Sequence, residues 1–424
     1  MARKMKDSGI EWIGEIPEEW ETCLYKYCCS VQPGYPFDSA KFSNSSTDGF
    51  PLIRIRDITS GEIQTYYTGE YPPNYIVTAG DLLVGMDGDF NVRWWNNDAA
   101  LLNQRCCRVT EKDSVLRRFL YYVLPFTLQH INTLTYATTV KHLANGDILN
   151  SFIAFPSLPA QQNIVHYLDT VCSEIDAMLS KTRSSIEEYK KLKQSVITQA
   201  VTKGVRGERE MKDSEVDWIG EIPKEWSTPK IKRLHNGLTD GTHGTFNRID
   251  SGHILLSSKN VREFGIQLGE NESFISEADY NLITANGFPQ KDDVLLCCIG
   301  ASIGRCTLYE FEEAMAFQRS VIFIRCNSLI LPRMMMYDLR SSNTLLQEQL
   351  LVNQSAQAGL YQGLVSEIFI SLPPIGEQKE IIAYLDAKCA EIDRLIAKKE
   401  QLVKELEGYK KSLIYEVVTG KREV

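Results

Sequence analysis

The chain has 424 residues, 43% of them hydrophobic and 24% charged, with a formal net charge of -9 at pH 7. This length predicts two or three domains, and this composition is typical of a soluble globular protein. There is no apolar run of about 18 residues and no apolar signal-peptide region, so the cytoplasm is the expected location. The acidic balance argues mildly against nucleic acid, because nucleic-acid-binding domains usually carry a basic excess.

The first recognisable element is WIGEIPEEW at residues 12–20, which returns as WIGEIPKEW at residues 218–226. Its Gly and Pro predict a turn, and its Trp and Ile side chains offer apolar anchors. We name each copy a clasp and predict that it seats the following domain on the rest of the molecule; a docking surface for a partner is the alternative. The anchors are Trp12, Ile16 and Trp20 in the first clasp and Trp218, Ile222 and Trp226 in the second.

Each clasp precedes a variable stretch, residues 21–155 and 227–370. Short β-rich runs alternate with Gly, Asn, Asp and Pro turns, and a few helical pieces follow, which predicts a compact α+β domain in each. The two stretches share a faint skeleton: GDLLVGMDGD (80–89) parallels DDVLLCCIGASIG (292–304), and Asn103-Gln104-Arg105 parallels Phe317-Gln318-Arg319.

A second shared segment follows each domain, at residues 156–204 and 371–424. Apolar residues spaced three and four apart predict the seam of a coiled coil, in helices of roughly 60 Å. The seam positions include Leu168, Ile175, Tyr189 and Leu192 in the first helix and Leu385, Ile392, Leu406 and Leu413 in the second. The simplest way to bury both stripes is to pair the two helices antiparallel.

The predicted fold is therefore α+β, with two globular α/β-type domains joined by two long antiparallel coiled-coil helices in a pseudo-twofold internal repeat. The expected divisions are 1–155 (clasp and first domain), 156–204 (central helix), 205–370 (linker, second clasp and second domain) and 371–424 (C-terminal helix).

This order of motifs resembles the specificity subunit of a Type I restriction–modification system. The likeness covers nearly the whole chain: the W-I-G-x-I-P-x-x-W opening, two variable domains, and repeated helices ending in Val418-Thr419-Gly420-Lys421. Asp240-Gly241-Thr242-His243 also resembles a loop common in these recognition domains, whereas the first domain has Gln32-Pro33-Gly34-Tyr35 in that place.

The resemblance implies a non-catalytic DNA reader. Each target-recognition domain would read half of a bipartite, asymmetric target in double-stranded DNA, and the helices would act as a ruler for the unread spacer. The implied partners are two methyltransferase (modification) subunits and restriction/translocase subunits. No cofactor or metal is expected in this chain, while S-adenosylmethionine, ATP and Mg would belong to the partners. The alternative is a coiled-coil protein-interaction scaffold that binds no DNA.

The sequence lacks enzyme motifs. There is no G-x-x-x-x-G-K-[ST] loop, no G-x-S-x-G elbow and no N-P-P-[YF] motif of the kind that amino-methyltransferases carry. We therefore expect no catalytic residue.

Candidate DNA contacts are Arg, Lys, Asn, Gln, His and Thr side chains in or beside the turns, because these types read base edges or phosphates. In the first domain they are Arg54, Arg56, Arg93, Asn103, Gln104, Arg105, Lys141 and His142. In the second they are Thr242, His243, Lys259, Asn260, Arg305, Gln318, Arg319 and Gln357. The Gln-Arg pairs recur in both domains, which favours a structural or phosphate-facing role, since readers of different targets should differ. Trp94-Trp95 could stack on bases, but packing is favoured.

Overall fold

The structure is a computed structural model, and it describes residues 3–134, 141–270, 272–285, 287–354 and 359–424. Within these ranges no helix combines the length and the hydropathy that spanning a membrane requires.

Up to the end of the first long helix, the described residues form thirteen strands and five α-helices. In order they are β1 (Met5–Asp7), β2 (Glu15–Pro17), β3 (Glu21–Leu24), α1 (Tyr25–Cys28), β4 (Cys29–Pro33), β5 (Phe42–Ser43), β6 (Phe50–Ile53), α2 (Ile55–Ser60), β7 (Tyr66–Tyr67), β8 (Ile76–Val77), β9 (Leu82–Gly85), β10 (Val92–Trp94), β11 (Ala100–Leu102), β12 (Cys106–Glu111), α3 (Arg117–Leu134), α4 (Asn145–Leu149), β13 (Phe152–Phe155) and α5 (Leu158–Lys203).

The rest of the chain repeats this plan with local changes. Its elements are β14 (Met211–Asp213), β15 (Glu221–Pro223), β16 (His235–Asp240), β17 (His253–Leu256), β18 (Val261–Arg262), β19 (Gly265–Ile266), β20 (Phe274–Ile275), α6 (Glu277–Ala285), β21 (Val294–Cys297), β22 (Cys306–Leu308), β23 (Ala316–Phe317), β24 (Val321–Cys326), α7 (Pro332–Leu339), α8 (Ser342–Gln354), α9 (Gln362–Ser366) and α10 (Ile375–Val418).

Each recognition domain contains two main sheets. In the first domain their strand orders are β10-β9-β12-β4 and β5-β7-β6-β11-β8, and in the second they are β16-β24-β21-β22 and β20-β17-β23. One parallel pair recurs, β6 with β11 and β17 with β23, while the other pairs run antiparallel. The central strands β9 and β21 are buried at every residue, as expected for apolar runs that pair on both sides. The skeleton noted in the sequence therefore corresponds to real strands.

The chain divides into two compact units, Met1–Thr182 with Leu402–Val424, and Arg183–Gln401. In the first unit, one core joins the first clasp, the β9 sheet, α3, the first part of α5 and the last part of α10. In the second unit, one core joins the second clasp, the β21 sheet, α7, the last part of α5 and the first part of α10.

The two long helices contact each other in both units. Lys410 of α10 bonds to Asp176 of α5 in the first unit, and Lys193 of α5 bonds to Asp393 of α10 in the second. The bridge nearer the start of α5 is the one nearer the end of α10, so the helices run antiparallel. Gly204 and Gly420 end them with φ of 79° and 73°, a left-handed conformation that favours glycine. The predicted fold class, including the internal repeat, is confirmed.

The seam follows the prediction at most positions but not at all of them. Leu168, Ile175, Leu385, Ile392 and Leu413 are buried, and Tyr189 and Leu406 are half-buried. Leu192 is 48% exposed, so its assignment to the seam is wrong.

The physical reason for the error at Leu192 lies one residue later. The ammonium of Lys193 is buried there between two carboxylates, Glu263 and Asp393. One residue turns a helix by about 100°, so the side of α5 that buries Lys193 and Ile197 directs Leu192 to solvent. A sequence pattern of apolar residues could not identify an ion pair as the buried position.

Candidate nucleic-acid interface

One loop of each recognition domain lies where three strands meet, and its backbone is held closely. After β4, the Gly34 N–H donates to the Cys106 carbonyl over 2.8 Å and the Tyr35 N–H donates to the Leu102 carbonyl over 2.9 Å. The Gln104 N–H in turn donates to the Tyr35 carbonyl over 3.0 Å. A Cβ at Gly34 would lie 2.0 Å from the Asn103 carbonyl oxygen, so this position requires glycine.

The second domain builds the same loop. The Gly241 N–H donates to the Val321 carbonyl over 3.1 Å, the Thr242 N–H to the Phe317 carbonyl over 2.7 Å, and the Arg319 N–H to the Thr242 carbonyl over 3.0 Å. Gly34 and Gly241 are therefore equivalent, as are Tyr35 and Thr242. The two loops correspond as the sequence indicates, but with Pro33–Tyr35 matching Asp240–Thr242, one residue away from a letter-by-letter pairing of the two four-residue motifs.

These bonds correct the alignment of the Gln-Arg pairs. Gln104 occupies the place of Arg319, because each donates its N–H to the matched loop residue. Asn103 therefore corresponds to Gln318, and Arg105 corresponds to Ser320. The sequence alignment is wrong by one residue, and the recurrence of Gln-Arg is a coincidence of neighbouring positions. Recurrence therefore gives no reason to assign Arg105 and Arg319 a structural role.

Three side chains of the first domain meet beside this loop. Asp87 follows β9, Arg105 precedes β12, and His142 forms an isolated bridge with Asp87. The His142 Nδ1 and the Asp87 Oδ1 are 2.7 Å apart, and the Arg105 Nη1 is 3.5 Å from the same oxygen. We name Asp87, Arg105 and His142 the first reading cluster. Gln104 is exposed next to it.

Lys141 and Asn103 are occupied by local contacts. The Lys141 ammonium donates to the Asn132 carbonyl over 2.9 Å and to its side-chain oxygen over 2.6 Å, at the end of α3. Asn103 is buried, and its side-chain oxygen accepts from the Gln104 N–H over 2.8 Å. Lys141 is next to His142 in the sequence, but its ammonium is hydrogen-bonded to the end of α3.

The other arginines of the first domain lie around α2. Arg93 donates to the carbonyls of Ile58 and Thr59 at the end of that helix, so its guanidinium completes a helix C-terminus. Arg56 is exposed, donates to the Thr65 hydroxyl over 2.9 Å and lines a polar groove of about 550 Å³ with Asn44 and Gln64. Arg54 is exposed over the Phe42 ring.

In the second domain a different set of side chains lies at the matched loop. The His243 Nε2 is 2.8 Å from the Asp240 Oδ2, and the Gln362 side-chain amide donates to the Asp240 Oδ1 over 2.6 Å. Arg319 is exposed, and its guanidinium has no hydrogen-bond partner within the described ranges. Gln318 and Thr242 are half-buried beside them.

Of the remaining candidates of the second domain, three are held by contacts within the domain and one lies outside the described residues. Asn260 is 1% exposed and holds the Ser257 N–H, the Gln267 carbonyl and the Glu272 carboxylate, while Lys259 pairs with the same carboxylate over 2.9 Å. Arg305 donates to the Val261 carbonyl over 3.2 Å. Gln357 lies outside the described residues.

Trp95 of the first domain is fully buried and Trp94 packs on Tyr121.

The first clasp lies against the end of α10. Ile16 and Trp20 are buried in one core with Leu413, Val417 and Val418. Trp12 is half-buried, and its carbonyl accepts from the Tyr415 hydroxyl over 2.9 Å. A Cβ at Gly420 would lie 2.4 Å from Pro17 Cδ.

The second clasp lies against the end of α5. Ile222 and Trp226 are buried with Ile197, Ala200 and Val201. The Trp226 indole donates to Glu377 over 3.0 Å, and Trp218 is half-buried. Each clasp thus packs on the C-terminal end of a long helix.

Sequence reasoning missed two matched anchors between the domains and the helices. Gln161 accepts the Leu116 N–H over 2.9 Å and donates to two carbonyls, and Gln378 does the same with the Leu331 N–H over 2.8 Å. Asp169 accepts from Arg118 and Tyr122 as Asp386 accepts from Arg333 and Tyr337. Gln161 matches Gln378 and Asp169 matches Asp386 in the sequence repeat. This recurrence is the signal that could have identified them.

The chain contains two matched α+β modules, and each is anchored to the shared helix pair. The modules have a common scaffold but carry different exposed polar side chains. These features define a two-domain recognition protein. Within the described part of the chain, no group of three or more His, Cys, Asp or Glu is placed to hold a metal ion.

Comparison with known proteins gives the family. The model of the type I restriction modification DNA specificity domain matches residues 17–188 and 254–405. The chain is 29% identical to the Type I restriction enzyme EcoBI specificity subunit of Escherichia coli, over 96% of this chain and 88% of that protein. It is 25% identical to the MjaVIII specificity subunit of Methanocaldococcus jannaschii, over 96% and 93%.

A solved structure concerned with complex assembly and conformational transition of a type I restriction–modification system has the same fold. It aligns with a TM-score of 0.67 at 16% identity, over 96% of this chain and 99% of that one. The chain belongs to the type I restriction–modification DNA specificity family. It is a specificity subunit with two target-recognition domains.

Proposed function

We propose that this chain is the non-catalytic reader of a complex in the cytoplasm that contains two methyltransferase subunits and restriction/translocase subunits. It would read a bipartite, asymmetric duplex target with one half-site per domain, and its helix pair would set the unread spacer. S-adenosylmethionine would be held by the methyltransferase subunits, and ATP and Mg by the restriction subunits.

The proposal for two methyltransferase subunits is supported by large apolar side chains that are exposed at matched positions of the two long helices. In the first unit Met178 of α5 and Tyr409 of α10 are 51% and 49% exposed, and they flank the Asp176–Lys410 ion pair in sequence. We name this pair the first helix patch. Large apolar side chains that remain exposed on a helix commonly mark a contact surface.

The second unit has exposed apolar side chains at the matched positions. Leu395 of α10 and Leu192 of α5 are 36% and 48% exposed and flank the Lys193–Asp393 ion pair. We name them the second helix patch. Since Gln161 matches Gln378, Met178 matches Leu395 and Leu192 matches Tyr409. Two like surfaces suit two copies of one partner, each bound in the same way.

For DNA, the proposal assigns contact to the exposed side chains at the two matched loops. The exposed ones are Gln104, Arg105 and His142 in the first domain and His243 and Arg319 in the second, and the half-buried Lys141, Thr242 and Gln318 are included with them. Arg54 and Arg56 are proposed as backbone contacts, and the prediction for Gln357 stands. Arg93, Asn103, Lys259, Asn260 and Arg305 hold their own domains, so we assign them a scaffold role. The clasps would seat the domains on the helices.

The partner proposal is tested by co-expressing the chain with its cognate methyltransferase subunit and measuring the mass of the complex by native mass spectrometry. The wild type should carry two methyltransferase subunits. The double variant Met178→Glu/Tyr409→Glu should lose one copy, and Leu192→Glu/Leu395→Glu should lose the other. Lys181→Glu, an exposed change on the same helix, should lose neither. A wild-type complex with one copy, or two copies retained in both double variants, would refute the assignment.

A further inference from the structure

The first reading cluster differs chemically from its counterpart although the backbone beneath it is the same. The Met86 N–H donates to the Arg105 carbonyl over 2.9 Å, and the Cys298 N–H donates to the Ser320 carbonyl over 3.0 Å. The bridges Asp87–His142 and Ile299–Gly359 also correspond. Arg105, Asp87 and His142 are thus replaced by Ser320, Ile299 and Gly359. A scaffold that is kept while its side chains are rewritten is what base readout of two different half-sites requires.

The guanidinium of Arg105 is held at one end and free at the other. Its Nη1 lies 3.5 Å from Asp87 Oδ1, the oxygen to which His142 Nδ1 donates, while 55% of the side chain is exposed. The other nitrogens of the fork have no partner within the described ranges. A fork fixed on one edge loses less conformational entropy when its other edge binds, so it suits a ligand with two adjacent acceptors.

The carboxylate of Asp87 beside Arg105 favours a base over a phosphate as the group that Arg105 binds. Asp87 is partly buried, with 23% of its side chain exposed, and accepts from His142 over 2.7 Å. A phosphate bound by Arg105 would lie within a few ångströms of this carboxylate and would be repelled by it. A base edge carries no net charge, and guanine presents two adjacent acceptors, O6 and N7, in the major groove.

We propose that Arg105, positioned by Asp87 and His142, reads a guanine in the major groove of the half-site that the first recognition domain binds. The proposal rests on the function proposed above, and it names one base that the target must contain. Arg105 makes the contact, and Asp87 and His142 are positioning residues.

The test uses the full complex with its methyltransferase subunits and labelled duplexes that carry the methylated motif, with each base pair replaced in turn. The wild type should lose affinity about 10- to 100-fold when one G·C pair of one half-site is replaced. Arg105→Ala should bind the original and the replaced duplex alike at that position, and should keep its discrimination throughout the other half-site. Arg105→Lys should keep part of the preference, because a lysine reaches one acceptor and not two.

Asp87→Asn provides a second, independent variant. It should raise affinity for a scrambled duplex, because the charge that repels phosphate is gone, and it should reduce the preference for guanine. Retained discrimination at the other base pairs of the same half-site shows that the first domain of each variant is folded.

The inference is overturned if the wild type tolerates every G·C replacement in both half-sites, or if Arg105→Ala weakens all duplexes by the same factor, which is the behaviour of a phosphate contact. A wild-type complex that does not prefer its methylated motif over a scrambled duplex contradicts the proposed function instead.

Discussion

Lys193 of α5 and Asp393 of α10 form an ion pair with 2.7 Å between Nζ and Oδ1, and only 9% of the lysine side chain is exposed. Lys410 and Asp176 make the matched contact in the other unit over 2.6 Å, where the lysine is 27% exposed. The two pairs fix the facing positions of the antiparallel helices. They differ in burial because Glu263 of the second domain also reaches Lys193.

Because the two lysines differ in burial, replacing each of them should lower the free energy of unfolding by a different amount. Lys193→Ala leaves two neighbouring carboxylates without their shared cation and should lower the free energy of unfolding by about 1 to 3 kcal/mol. Lys410→Ala, the matched control, breaks a more exposed pair and should cost less than about 1 kcal/mol. Thermal unfolding of the two variants measures the contrast, and equal losses would show that Glu263 adds nothing.

The two loop glycines should not tolerate a methyl group. An added Cβ would lie 2.0 Å from the Asn103 oxygen at Gly34 and 2.3 Å from the Gln318 oxygen at Gly241. Backbone atoms cannot move aside cheaply, so Gly34→Ala and Gly241→Ala should each destabilise their own domain by about 1 to 3 kcal/mol. Gly207→Ala, with nothing within 4 Å, is the control. Limited proteolysis reports which domain opens; protection equal to wild type would contradict the geometry.

A buried acid predicts the direction of a pH effect. Burial raises the pKa of Glu348 from 4.5 to about 8. The folded state then keeps a proton that the unfolded state releases, so the free energy of unfolding should fall as the pH rises from about 4.5 to about 8, by a few kcal/mol at most.

Replacing that acid by its neutral isostere isolates the effect. Glu348→Gln should reduce the pH dependence of the melting temperature and stabilise the protein at the alkaline end, and the slope that remains should come from Asp338, whose pKa burial raises to about 7. Glu270→Gln, at an exposed position, should leave the profile of the wild type. If Glu348→Gln lowers the melting temperature equally at all pH values, the carboxyl is not the group that titrates.

The helix pair predicts how the spacer responds to length. Because Asp176 faces Lys410, Thr182 lies at the level of Lys404. Inserting one heptad after each of these two residues lengthens the pair by about 10 Å. The methylated motif should then gain about three unread base pairs, with both half-sites unchanged. Altered half-sites with an unchanged spacer would exclude the ruler.

The sequence predicted the large features of the fold because they are repeated and periodic. The two clasps recur with one change and the two long helices recur with many shared residues. Gly204 and Gly420 end the helices where the pattern placed the ends. Repetition also indicated the scaffold strands β9 and β21, because an acidic turn followed by an apolar run recurs at residues 80–89 and 292–304.

Features that depend on tertiary contacts could not be predicted from repetition and periodicity. The one-residue error between Gln104 and Gln318 arose because similar letters stood at neighbouring positions, and only the hydrogen bonds of Tyr35 and Thr242 fix the correspondence. Leu192 was misplaced because a buried Lys193 is stabilised by Glu263, which lies seventy residues away in the chain. The contact between Asp87 and Arg105 likewise needs the end of β9 and the start of β12 to be brought together.

The most direct test of the central claim is a map of N6-methyladenine in a methylation-free host that expresses this chain with its methyltransferase subunit. We expect methylation at one motif, with two different half-sites separated by a fixed unread spacer, and the loss of that methylation when this chain is omitted. Methylation at a continuous or palindromic motif, or an unchanged pattern without this chain, would contradict it.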